Sequence, residues 1–125
     1  MFSVDRERFV EFIGEAVASL PDEFSSEIAN VEFVVEAVAT AADLRRMRIP
    51  RGSTLLGLYR GVPLTRRGAG YHMALPDTIA IFQLPLERMA HDEDDLRARV
   101  KRVVQHEVGH YFGISDERLR ELGAY

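Results

Sequence analysis

Apolar residues recur at helical spacing through the first twenty positions. Phe9, Phe12, Ile13, Ala16, Val17 and Leu20 form one stripe, which predicts an amphipathic helix over 4–20 with its apolar face toward a core. Ser3 suits the N-cap, Asp5 and Glu7 suit the positive end of the helix, and Pro21 ends it. A short helical stretch is expected over 22–29. Residues 31–38 then have strand composition, with Glu32 and Glu36 at even positions among apolar neighbours. Residues 40–53 read as a connection holding at most a short helix. A second strand is predicted over 55–60, stopped by Gly61 and Pro63, and a glycine-containing loop over 65–72.

A third strand is predicted over 77–83, between Pro76 and Pro85. Flanking prolines suit an edge position. The pattern then returns to helical spacing. Leu96, Val100, Val103, Val104 and Val108 lead to Phe112, with apolar residues on more than one side, as in a largely buried helix. His91-Asp92-Glu93-Asp94-Asp95 before it resembles a metal cluster but reads better as a helix start, with Asp92 as N-cap and Asp95 near the third helical position. A last short helix begins at Ser115 or Asp116, with Leu119 and Leu122 turned inward and Gly123 at its end. The fold class expected is α+β: a small, mainly antiparallel or mixed sheet of about three strands against the N-terminal helix and the long later one. Residues 1–125 are expected to form a single domain.

Composition narrows the chemistry. There is no cysteine, so any metal must be held by His, Asp or Glu. The net charge of −4 is unevenly spread: residues 1–44 hold ten acids against two bases, and residues 45–75 hold seven arginines and no acid. The simplest account is a basic segment lying against acidic neighbours in the fold. With an acidic total and no nucleic-acid motif, DNA or RNA binding is not expected. Met1 to Val10 carries four charges and no apolar core of a signal peptide, and no apolar run is long enough to span a bilayer. The expectation is a cytoplasmic protein.

One stretch carries chemistry: His106-Glu107-Val108-Gly109-His110, followed by Gly113 and Asp116. On a helix, residues four apart share a face with Cβ atoms about 5–6 Å apart. Two imidazoles so placed can converge on one zinc ion at about 2.0–2.1 Å each. Glu107 projects about 100° round the helix from His106, beside the ion, where it can take a proton from a water activated there. Gly113 can adopt the left-handed conformation that ends helices. The turn back could present Asp116 as a third ligand and leave the fourth position for water, the catalytic arrangement. Glu117, Glu121, His72 and His91 remain alternatives to Asp116. From average composition H-E-x-x-H arises by chance in roughly one chain of this size in a few hundred, and the added glycine and aspartate make an accident rarer still.

H-E-x-x-H-x-x-G-x-x-D resembles the zincin signature in its extended, metzincin form, with Asp116 where most have histidine. The chain as a whole resembles the minimal zincin-like metallopeptidases of bacteria, with supporting segments at 55–61, 76–82 and 114–119. It departs from the metzincins in having no methionine after the motif: Met1, Met47, Met73 and Met89 all precede it. The resemblance implies zinc held by His106, His110 and Asp116, Glu107 as general base, and a peptide substrate along an edge strand beside the motif helix, for which 77–83 is the candidate. Tyr71 and His72, in the 65–72 loop, are candidates to steady the oxyanion. The expected function is zinc-dependent hydrolysis of peptide bonds. The rival readings are a zinc-binding interaction module without turnover and a hydrolase of non-peptide amides.

Overall fold

The computed structural model describes residues 2–61 and 77–121, and at Glu23, Ser26, Asp116 and Leu119 the backbone without the side chain. The first helix, α1 (Arg6–Ala18), is capped by Asp5, whose side chain accepts a hydrogen bond from the Arg8 N–H at 2.8 Å. Ser3, expected as the cap, lies too early because the arm before the helix is held elsewhere. Val4 N–H donates to Glu87 Oε2 at 2.9 Å, and Gln83 Nε2 donates to Val4 O at 3.1 Å. Phe9, Phe12, Ile13 and Ala16 are buried, as their spacing predicts. A short helix, α2 (Asp22–Ile28), follows Pro21.

Three strands form one mixed sheet: β1 (Val31–Glu36), β2 (Gly57–Arg60) and β3 (Asp77–Phe82), in the order β1-β3-β2. β3 runs parallel to β1 and antiparallel to β2. The edge position expected for 77–83 is therefore corrected: β3 is central, bonded on both sides. Pro85 misleads because it lies beyond the ladder. It instead occupies the first turn of a further helix, α4 (Gln83–Met89), where a missing N–H removes no helical bond. Ile79, Ala80, Ile81 and Phe82 have no exposed surface, the continuous burial of a strand covered on both faces.

The sheet separates two layers of packing. Val31, Val35, Ile79 and Ile81 face α1 and the long helix α5 (Glu93–Tyr111), meeting Phe9, Phe12, Leu96, Val100 and Val104 in the main core. Leu58, Ala80 and Phe82 face the other way, toward Ala39 and the half-buried Leu44 and Leu55. Leu44 lies on α3 (Ala41–Arg46), which opens on a capping box between Thr40 and Asp43. An ion network closes this second layer: Arg60 on β2 bonds both carboxylate oxygens of Glu36 on β1, at 2.8 and 3.0 Å, and reaches Asp43 Oδ2 at 2.8 Å. The expectation that the basic segment lies against acids holds for Arg60. Arg45, Arg46, Arg48 and Arg51 are exposed and form no ion pair among the described residues. No helix among these residues is long and apolar enough to cross a membrane.

Asp43 gives the network a pH signature. Burial alone would push its carboxyl up, but hydrogen bonds from Arg60 and from Thr40 outweigh this and hold it below the usual carboxylate range. A group lowered in the folded state stabilises the fold above its ordinary value, near 4, and that contribution fades as pH falls through the lowered value. Asp43→Asn is therefore expected to cost roughly 1–3 kcal/mol at neutral pH. Thermal melts from pH 7 downward should show the deficit shrinking once the wild type drops below about pH 4.

Candidate metal centre

α5 carries the motif and is defined at both ends. At its start Asp92 Oδ1 accepts from the Asp95 N–H at 2.8 Å, and Asp95 Oδ2 accepts from the His91 N–H at 2.9 Å. The acidic run at 91–95 is thus a cap, as expected. His91 lies about 20 Å from His106 along the helix at 1.5 Å per residue, which removes it as a ligand. At the other end Gly113 takes φ of +77°. Its N–H donates to His110 O at 3.0 Å, and Ile114 N–H donates to Gly109 O at 2.9 Å, the paired bonds of a Schellman turn. The reversal expected at Gly113 is present, and α6 (Asp116–Glu121) follows directly. Ser115 serves as its cap, accepting from the Arg118 N–H at 3.2 Å. Asp116 is thereby released from capping duty; its side chain lies outside the described atoms. Glu121 is paired with Arg118 at 2.7 Å, and Glu117 is exposed.

His106, Glu107 and His110 come together. One ligand-capable atom from each lies within 4.8 Å of the others, and the two imidazole rings stand 4.4 Å apart, inclined at 71°. Both histidines are half-buried, in the last two turns of α5, where the helix dipole favours positive charge. Two imidazoles and a carboxylate, with no thiolate, form a donor set that suits a divalent ion such as zinc.

Glu107 is buried at 5% exposure and is held from outside its own helix. Its Oε1 accepts from the Tyr59 backbone N–H at 2.9 Å and lies 3.2 Å from His110 Nδ1. Its Oε2 stands 3.9 Å from His106 Nε2. The Tyr59 N–H is available for structural reasons. Phe82 N–H donates to Leu56 O at 3.0 Å, so in the antiparallel ladder Gly57 and Tyr59 turn their backbone groups away from β3, toward α5. The Tyr59 side chain is anchored as well: its hydroxyl donates to Asp77 Oδ2 at 3.1 Å, and its ring meets Tyr111 edge-on at 5.6 Å.

Gly57 makes the approach possible. A Cβ there would fall 2.6 Å from Val103 Cγ1 and 3.2 Å from Glu107 Cγ. Neither Gly57 nor Tyr59 stands out as a site residue from local pattern alone. An isolated glycine inside an apolar strand does signal close backbone approach, and that was the available clue. Beside the centre lies a cavity of about 350 Å³, bounded by residues 54–57 on one wall and by Arg102, Val103, His106 and Glu107 on the other.

Residues 28–124 match the family model of zincin-like metallopeptidases. The chain belongs to that family. Among curated proteins no relative matches it. Zincin-like membership suggests a metal-dependent peptidase and implies a divalent metal, typically zinc, which the clustered histidines and glutamate fit. The oxyanion candidates Tyr71 and His72 lie outside the described residues.

The close packing of β2 on α5 has a direct test. Gly57→Ala adds a methyl group that must displace β2 or Val103, and is expected to destabilise the fold by roughly 1–3 kcal/mol. Val103→Ala in the same chain removes the obstructing methyl, so the double variant should lose less than the two single losses combined. Chemical denaturation of the four proteins measures the coupling.

Proposed function

We propose that this zincin-like domain is a zinc-dependent peptidase in which Glu107 is the general base. The observation that carries the reading is the hold on Glu107. One carboxylate oxygen is fixed by a backbone N–H from a neighbouring strand, while the other faces the first histidine of the pair. A proton acceptor works best when held within hydrogen-bond reach of the proton it removes. Here the strand does the holding, and Oε2 is the atom that receives the proton.

His106 and His110 would hold the ion, with Asp116 as the third ligand, since Ser115 already caps α6 and Asp116 comes three residues after Gly113. Zinc, when bound, supplies the Lewis acidity that polarises a carbonyl and brings the pKa of a bound water to about 7. Glu107 accepts the proton at Oε2 and delivers it to the leaving nitrogen. Burial of the carboxylate limits its exchange of that proton with bulk water. The substrate would lie along the outer side of β2, which among the described strands is the outermost beside α5. Gly57 turns its backbone groups outward there, so an extended peptide can add as a further strand.

Two variants test the assignment. Glu107→Gln should retain zinc binding close to wild type while cleavage of a mixed peptide library falls by at least roughly a hundredfold. Wild-type protein loaded with zinc that cuts nothing in such a library at neutral pH would overturn the peptidase reading. Asp116→Ala should weaken zinc binding strongly, with Glu117→Ala and Glu121→Ala nearly neutral; competitive titration against a chelator measures all three.

A further inference from the structure

The cavity beside Glu107 has a charge that the rest of the molecule leads one not to expect. The protein is acidic, at −4 overall, yet an arginine stands on the wall of this cavity. Arg102 stands on α5 one turn before His106, and both line the cavity. Arg97 and Arg99, earlier on the same helix, are committed to carboxylates: Arg97 to Glu15 and Asp94, Arg99 to Asp95. Arg102 is exposed and forms no ion pair among the described residues. The opposite wall, residues 54–57, carries no charged side chain. Among the described residues, the one acid on the cavity wall is Glu107, which is buried. Elsewhere the lining is mainly aliphatic, from Leu55, Leu56 and Val103.

We propose that Arg102 is a specificity-determining residue, and that the cavity takes a substrate group with an aliphatic stem and a terminal carboxylate. This rests on the peptidase reading above. An aliphatic floor accepts methylene groups. A guanidinium at the rim has five N–H donors in a fork that matches a carboxylate. An arginine already paired within the protein would have to give up a partner to bind substrate; Arg102 does not. The charge of Arg102 favours an acidic group and disfavours lysine at the same position. Two sources present this chemistry: a glutamate side chain within a peptide, and the free carboxylate of a peptide that ends at this position.

The test uses short peptides blocked at both ends and identical except at one position flanking the cut, where Glu, Gln, Leu or Lys is placed. A companion peptide carries an apolar residue there and ends in a free carboxylate. Cleavage is measured with zinc-loaded wild type, Arg102→Met and Arg102→Glu. Binding of the same peptides is followed by NMR shifts at residues 54–57 and 102–107 of the zinc-loaded Glu107→Gln protein, with and without Arg102→Met.

Wild type should prefer Glu over Gln in kcat/KM by roughly three- to tenfold at low salt, the range from an exposed ion pair to a charge-assisted hydrogen bond. The preference should fall toward unity at about 0.5 M salt and in Arg102→Met, and Arg102→Glu should turn it toward Lys. A preference for the companion peptide over blocked Glu assigns the cavity to a chain terminus, and the reverse assigns it to glutamate. Cleavage without charge preference overturns the specificity proposal and leaves the peptidase reading intact. Arg102-dependent binding of the carboxylate peptides without cleavage upholds the cavity assignment and overturns the peptidase reading. Neither binding nor cleavage overturns both.

Discussion

A buried carboxyl group is costly to desolvate unless donors meet it. In this protein the donor that meets Glu107 comes from the backbone of β2, 48 residues earlier in the chain. Much of the architecture follows from that one bond. For the Tyr59 N–H to face α5, β2 must be an outer strand of the sheet with Tyr59 in the non-bonded register to β3. For the distance to close at 2.9 Å, Gly57 must present no side chain to Val103. For β2 to stay in place, its far end must be tied down, which Arg60 does through Glu36 and Asp43 on the opposite face of the sheet. A backbone donor has an advantage over a side chain here. It has no rotamers to lose, so the orientation of Glu107 is set by the sheet itself.

The helix bearing the site is fixed just as firmly. Leu96, Val100 and Val104 have no exposed surface and lie in one core with Phe9 and Phe12 of α1. The seam between the helices is closed at its rim by ions. Arg8 and Arg97 both reach Glu93, and both guanidinium groups stand 4.9 Å from the Phe12 ring centre. Near the C-terminal end, Tyr111 is buried against Tyr59, and Phe112 stacks at a tilt on Phe24 of α2. The two histidines therefore project from a helix whose other faces are occupied. Side chains on a rigid element need little reorganisation to converge on an ion.

The features legible in the sequence are those encoded locally. The α1 stripe, the cap at Asp92 and the turn at Gly113 each depend on residues within a few positions of one another, and each is present where the pattern places it. The three strands and the H-E-x-x-H cluster are legible for the same reason. Strand order is different in kind. Nothing between 77 and 83 records that β1 and β2 both pair with it, and Pro85 suggests an edge although it lies beyond the ladder. The α4 helix was hidden by the same proline, because Pro85 disrupts an interior turn but not a first one. The bond between Tyr59 and Glu107 spans 48 residues, and only the assembled sheet displays it and the close approach of Gly57.

The account stands or falls on His106 and His110 acting as a pair on one metal ion. The most direct measurement is zinc X-ray absorption on protein loaded with one equivalent of zinc. The account predicts a first shell of nitrogen and oxygen at about 2.0–2.1 Å, with the outer-shell scattering of two imidazoles. His106→Ala or His110→Ala should each remove one imidazole. A spectrum of zinc without imidazole scattering, or one unchanged when either histidine is replaced, would contradict it.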